Sequence, residues 1–77
     1  MVKRLFWTYN EHNFDKLADD LQSVNLPFVS GKTNGGKLWI AVNIDSRYAE
    51  LLARQNQVSL SKSNDEGLPI NLKAYKL

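Results

Sequence analysis

Few residues of this 77-residue chain could carry out covalent chemistry, because it contains no cysteine and a single histidine, His12. Without cysteine there is neither a disulfide framework nor a thiolate metal site, and one imidazole is too little for a histidine-based metal site. Ser46 follows Asp45 in a pattern typical of a helix cap, and no base stands near it in the sequence to activate it as a nucleophile. We therefore expect no catalytic residue, no metal and no cofactor.

Adjacent acids and a short glycine motif also lack the spacing that catalysis requires. Neighbouring residues on a helix point about 100° apart, so Asp19-Asp20 is interpreted as solvated helix surface. The second pair, Asp65-Glu66, is typical of a turn. Gly31-Lys32-Thr33 has the residues that end a phosphate-binding P-loop, but the motif needs a glycine at the position of Leu26 and a helix directly afterwards. These observations predict that the protein is not an enzyme.

The composition predicts one domain over residues 1–77. The chain is 43% hydrophobic and 23% charged, and it contains no internal repeat or low-complexity tract that would divide it. No apolar run approaches the roughly 20 residues that cross a bilayer, and no signal-peptide pattern opens the chain. We expect a soluble cytoplasmic protein without membrane contact.

Hydrophobic periodicity predicts seven elements in the order strand, helix, strand, strand, helix, strand, strand. The clearest helix begins near Phe14, is capped by Asn10 or Asn13 and ends before Pro27. A second helix is capped by Asp45 or Ser46 and runs to about Gln55. A hairpin turn is predicted at Thr33-Asn34-Gly35-Gly36. The predicted strands are Val2–Tyr9, Leu26–Lys32, Lys37–Asn43, Gln57–Lys62 and Ile70–Lys76.

This order predicts an α+β domain of the ferredoxin-like type, βαββαβ with one further strand, in which two helices pack on one face of an antiparallel sheet. Right-handed crossovers place the first and third strands side by side in the middle of the sheet and the second strand at an edge. The opposite face of the sheet then carries no helix.

Charges are separated between the predicted elements. Lysines on edge strands discourage pairing between molecules and acids near helix starts suit the dipole, so stability alone could produce the pattern. The basic residues lie in the predicted strands or at their ends, and the acids lie in the helices and the last turn. This separation nevertheless predicts a basic helix-free face and an acidic helical side. An acidic patch of Asp15, Asp19, Asp20 and Glu50 could bind a basic partner, although ordinary solvated surface is the favoured interpretation. The basic residues of the strands and their ends are Lys3, Arg4, Lys32, Lys37, Lys62, Lys73 and Lys76.

The register of the first strand decides which of its side chains reach the helix-free face. We expect Leu5 and Trp7 to face the helices, since the opposite choice would point Arg4 towards the core. Rings and cations then share the helix-free face, and the candidate binding residues are Arg4, Phe6, Lys37, Trp39, Lys73 and Tyr75. A register shifted by one residue would instead expose Lys3, Leu5, Trp7 and Tyr9, which is also a basic and aromatic set.

The predicted function is a non-catalytic module that binds single-stranded nucleic acid, because rings can stack on unpaired bases while cations pair with phosphates. The arrangement resembles RNA-recognition modules in architecture. Their motif of a basic residue followed by Gly-aromatic-Gly-aromatic is missing, since the third strand reads Lys37-Leu38-Trp39-Ile40. The chain is therefore not assigned to that family. The alternative is a protein-interaction or regulatory module, such as a homodimer, that buries the same face.

Overall fold

Two helices and four strands make up residues 2–61, the residues that the computed structural model describes. The strands form one antiparallel sheet in the order β2-β3-β1-β4, so the first and third strands lie side by side and the second lies at an edge, as predicted. The predicted strand Ile70–Lys76 lies outside the described residues. The elements are β1 (Val2–Thr8), α1 (Glu11–Ser23), β2 (Phe28–Lys32), β3 (Leu38–Ile44), α2 (Ser46–Asn56) and β4 (Ser59–Leu60).

Helix α1 begins at Glu11, three residues before the predicted start at Phe14. Asn10 is the N-cap, and its side-chain oxygen accepts a hydrogen bond from the backbone N–H of Asn13 at 3.0 Å. A short polar side chain at this position satisfies one of the N–H groups that have no partner within the helix. Of the two candidate caps in the sequence, Asn10 therefore accepts the bond and Asn13 donates it.

Helix α2 is capped by Asp45, one of the two predicted caps. Its carboxylate accepts hydrogen bonds from the backbone N–H groups of Arg47 and Tyr48 at 3.1 and 3.2 Å. Gln57 ends the helix in the left-handed region, with φ of 55°. Neither helix within residues 2–61 is long and apolar enough to cross a lipid bilayer.

Strands β2 and β3 form the predicted hairpin. The backbone N–H of Thr33 donates to the carbonyl of Lys37 at 2.9 Å, and that of Gly36 donates to the carbonyl of Thr33 at 3.0 Å. Gly36 has φ of +88°, a conformation in which a side chain would be strained. The turn therefore closes directly before β3 and places Lys37 immediately ahead of its first residue, Leu38.

The core lies between the two helices and one face of the sheet. Alternate residues of β3 face the helices, which confirms the inward positions predicted for Ile40 and Val42. Val58, beside β4, is also inward as predicted. The buried residues of this core are Phe6, Leu17, Leu21, Ile40, Val42, Ile44, Ala49, Leu52 and Val58.

The predicted register of β1 is wrong. Phe6 is 1% exposed and packs in the core, directly opposite Ile40 of β3. Alternate residues of a strand point to the same side of the sheet, and Arg4 lies two residues before Phe6. Arg4 also opposes the core residue Val42, so it shares the helix side with Phe6. Leu5 and Trp7 consequently face away from the helices. The alternative register, shifted by one residue, is the observed one.

Arg4 can lie on the helix side because its guanidinium finds hydrogen-bond acceptors there. The residue is 6% exposed; Nη1 donates to the hydroxyl oxygen of Ser46 at 2.6 Å, and Nη2 donates to the backbone carbonyl of Ser61 at 2.8 Å. These two bonds offset much of the cost of burying the guanidinium, although its Nε has no hydrogen-bond partner among the described residues. Both acceptors are more than 40 residues away along the chain. The residues next to Arg4 in the sequence therefore indicate the cost of burying its charge, but they do not reveal the hydrogen bonds that offset this cost.

Asn56, the last residue of α2, connects the two helices. It is 2% exposed, and its side-chain nitrogen donates to the carboxylate of Asp20 and to the carbonyl of Leu52, both at 3.0 Å. Asp19 is exposed, as expected of helix surface, but Asp20 is half-buried against α2. The interpretation of Asp19-Asp20 as a solvated pair is therefore wrong for Asp20.

Replacing Asn56 by alanine should lower the free energy of unfolding by about 1–3 kcal/mol, because the half-buried Asp20 carboxylate loses its partner. Chemical denaturation of Asn56→Ala measures this loss. The control is Gln55→Ala, at an exposed site on the same helix, which should change stability by less than about 0.5 kcal/mol. Equal stability of the two variants would contradict a structural role for the Asn56–Asp20 hydrogen bond.

Replacing Arg4 by lysine should lower the free energy of unfolding by about 1.5–3 kcal/mol, since one ammonium cannot reproduce the two divergent hydrogen bonds of the guanidinium. The matched control is Arg47→Lys, the same change at an exposed position. Urea denaturation compares the two variants. If Arg4→Lys lowers the free energy of unfolding by no more than Arg47→Lys does, the hydrogen bonds from Arg4 to Ser46 and Ser61 do not stabilise the fold.

Candidate nucleic-acid interface

The six residues predicted to bind a ligand do not lie together. Trp39 lies on the helix-free face, so called because neither α1 nor α2, the helices of residues 2–61, packs on it, and Lys37 contacts that face through its side chain. Arg4 and Phe6 lie on the buried side against the helices, and we correct their assignment to the surface. Lys73 and Tyr75 lie outside the described residues. Of the predicted set, Lys37 and Trp39 are thus brought to one side of the sheet.

Two tryptophans mark the helix-free face. Trp7 of β1 and Trp39 of β3 are direct cross-strand partners, so both side chains emerge on this side of the sheet. Tyr9 follows the end of β1, and Lys37 precedes β3. We call the surface formed by Trp7, Tyr9, Lys37 and Trp39 the aromatic face.

The Trp7 ring is held by one further aromatic and one cation. The Tyr9 ring meets it edge-on, with the ring centroids 6.0 Å apart and the planes at 79°. The ammonium nitrogen of Lys37 lies 4.4 Å from the Trp7 ring centroid, within the range of a cation–π interaction. Tyr9 is 64% exposed. A flat ring, an exposed phenol and a positive charge thus stand within one small area.

Trp39 packs differently from Trp7. It lies against Leu5 and Ala41, a buried cross-strand pair at the centre of the helix-free face. Its indole also extends over Gly31 of the neighbouring edge strand β2, where the glycine leaves room for the ring. The ring is half-buried by these contacts. It rests on the sheet and remains partly accessible.

The charge of the described residues favours an anionic ligand on this side of the sheet. Lys37 is part of the aromatic face, and Lys3 emerges on the same side of β1. No strand within residues 2–61 contains an acidic residue. The acids of that range lie in the helices or cap them: Glu11, Asp15, Asp19, Asp20, Asp45 and Glu50.

Stacking and ion pairing are the chemistry that these side chains offer. Rings on a sheet bind planar groups, and Lys37 adds a positive charge that attracts phosphate or carboxylate. Within the described residues there is no group of three His, Asp or Glu side chains placed to hold a metal ion. The aromatic face therefore supports non-covalent binding of a planar, anionic ligand.

Trp7 and Tyr9 were expected on this face only in the alternative register of β1, and Gly31, which lies beneath Trp39, was not among the candidate residues. The alternation of β1 does not separate its two faces, because each carries one cation, Lys3 or Arg4, and at least one aromatic ring. The pairing of β1 with β3 determines which side of the sheet each side chain of β1 faces. Gly31 gives no sequence signal beyond being a glycine within a predicted strand.

No protein-family model matches this chain, and no curated protein matches it significantly. Evidence on function therefore comes from the side chains of the aromatic face.

Proposed function

We propose that this chain is a binding module of the ferredoxin-like type that holds single-stranded nucleic acid on its aromatic face. The supporting observation is the cross-strand pair Trp7 and Trp39 on the two central strands, with the Lys37 ammonium 4.4 Å from one of the rings. Rings stack on bases of any sequence, because every base has a π-face, and a lysine pairs with backbone phosphate.

The element and strand orders support the ferredoxin-like assignment. Both helices pack against the Phe6 side of the sheet, and the strand order is β2-β3-β1-β4. Trp7 and Trp39 then sit on the central strands, opposite the layer of helices. This is the position in which a sheet can offer several rings to one extended ligand.

The flatness of the site favours unpaired over paired bases. In a duplex the base faces are stacked on one another and only their edges are accessible in the grooves. The rings of Trp7 and Trp39 offer flat faces, and a flat ring stacks on a base that has been released from pairing. We therefore expect Trp7 and Trp39 to distinguish single strands from duplexes.

A labelled single-stranded oligonucleotide should bind the protein more tightly than a duplex of the same sequence, as measured by fluorescence anisotropy. Trp7→Ala and Trp39→Ala should each weaken single-strand binding by about 1–3 kcal/mol, the contribution of one stacked base. Leu51→Ala is the control, because Leu51 is an exposed apolar side chain on helix α2. Circular dichroism confirms that each variant is folded.

The same samples test the competing function of a protein interface. Sedimentation at several protein concentrations would show self-association, which Trp39→Ala should then abolish. Self-association without any response to oligonucleotides would overturn the nucleic-acid proposal in favour of a homodimer that buries the aromatic face.

Lys37→Ala should weaken oligonucleotide binding uniformly across sequences and reduce the slope of log affinity against log salt by about 0.7, as expected for one lost phosphate contact to a single strand. Lys16→Ala removes the same charge from an exposed position on helix α1. It should leave the slope unchanged. Equal slopes for the two variants would mean that Lys37 neutralises no phosphate and that net charge alone attracts the ligand.

A further inference from the structure

Gly31 is the residue of β2 over which the Trp39 indole lies. A β-carbon built at Gly31 would stand 2.5 Å from Cζ2, 2.8 Å from Cε2 and 3.1 Å from Nε1 of that indole. The first two distances are shorter than real Cβ contacts, so any side chain here would displace the ring. Among the glycines of residues 2–61, Gly36 has a positive φ, whereas Gly31 lies in an extended strand. The backbone of β2 therefore does not require glycine at position 31, and the indole of Trp39 does.

The two tryptophans diverge as a result. Trp7 and Trp39 start from opposed positions on β1 and β3, but the Trp39 indole extends towards Gly31 of β2, the strand on the other side of β3. The Trp7 ring instead contacts Tyr9 and Lys37. Neighbouring strands are about 4.8 Å apart, so the extension of the Trp39 indole over β2 moves this ring away from Trp7 on β1.

We propose that Gly31 is a positioning residue that divides the aromatic face into two stacking sites, and that its ligand is consequently a chain of at least two unpaired nucleotides. This inference rests on the proposed function. One base stacks on Trp7 in place of the Lys37 ammonium, which moves from the ring to a phosphate, and a second base stacks on Trp39 above β2. A mononucleotide can occupy only one of these sites and binds more weakly.

A purely structural role for Gly31 makes a different prediction. An aromatic ring laid over a strand glycine covers exposed backbone and stabilises the sheet. In that case Gly31→Ala lowers stability but leaves unchanged the ratio between affinities for long and short ligands. The dependence of affinity on oligonucleotide length therefore distinguishes positioning from stabilisation.

The first experiment measures the affinities of a thymidine mononucleotide and of short oligothymidylates by titration. The wild-type protein should gain affinity steeply once two bases are available, by roughly 5- to 150-fold for the second stacked base. Gly31→Ala should lose most of this gain. Ser30→Ala, at the exposed preceding residue of the same strand, should retain it. An unchanged length dependence in Gly31→Ala would overturn the inference.

A double-mutant cycle shows whether Gly31 acts through Trp39. Once Trp39 is alanine, the clash with a β-carbon at position 31 disappears, so Gly31→Ala should add no further loss of affinity in the Trp39→Ala protein. A further loss of the same size as in the wild-type background would assign Gly31 a role that is independent of the ring and overturn the proposed mechanism.

A third measurement needs no ligand. The chain has two tryptophans, so Trp7→Phe leaves Trp39 as the only indole fluorophore. Adding Gly31→Ala to this variant should increase acrylamide quenching of Trp39, because the ring can no longer lie against β2; identical quenching would overturn the positioning role. A further outcome is that quenching increases in the Gly31→Ala variant while the wild-type protein binds no oligonucleotide. That result would support the positioning of Trp39 by Gly31, but it would overturn both the proposed function and the two-nucleotide ligand.

Discussion

The pairing of β1 with β3 is the constraint on which the rest of the structure depends. Phe6 opposes Ile40, and with that single alignment every side chain of β1 is assigned to one side of the sheet. Phe6 joins the core between the helices and the sheet, whereas Trp7 emerges beside Trp39. A slip of one residue would bury Trp7 and expose Phe6, and the aromatic face would lose its cross-strand pair of tryptophans. The core and the candidate site are therefore two consequences of one register.

Polar contacts secure α2 at both ends around this core. Its first residue, Ser46, accepts a hydrogen bond from Arg4 of β1, and its last residue, Asn56, donates one to Asp20 of α1. The intervening apolar contacts, such as that of Leu52 with the core, are non-directional and would tolerate some sliding of the helix. Hydrogen bonds have a narrow range of geometry, so the two polar contacts determine where along the sheet α2 lies.

The position of the helices separates the charges of the molecule in space. Within residues 2–61 all acidic side chains belong to the helices or to a helix cap, and the helices cover the Phe6 side of the sheet. The opposite side keeps Lys37 with the two tryptophans and has no carboxylate from any described strand. Acids near helix starts and lysines near strand ends each have local stabilising roles. The tertiary structure places the described acids with the helices and Lys37 on the other side of the sheet.

For residues 2–61 the amino-acid sequence by itself determined the types of the six elements, the hairpin at Gly36, the inward positions of Ile40 and Val42 and the presence of Trp39 and Lys37 on one surface. Periodicity, capping residues and turn residues act over only a few positions. It did not determine the side of the sheet to which Phe6, Trp7 and Arg4 point. In either register of β1, each face of the sheet receives one aromatic ring and one cation from this strand. The alternation of residues within β1 therefore does not favour one register over the other. Tertiary structure decided through partners distant in sequence: Ile40 opposite Phe6, and Ser46 and Ser61 accepting from Arg4. The fit of the Trp39 indole over Gly31 was likewise decided only when β2 and β3 paired, since contact between two side-chain positions across a sheet depends on register and not on either residue alone.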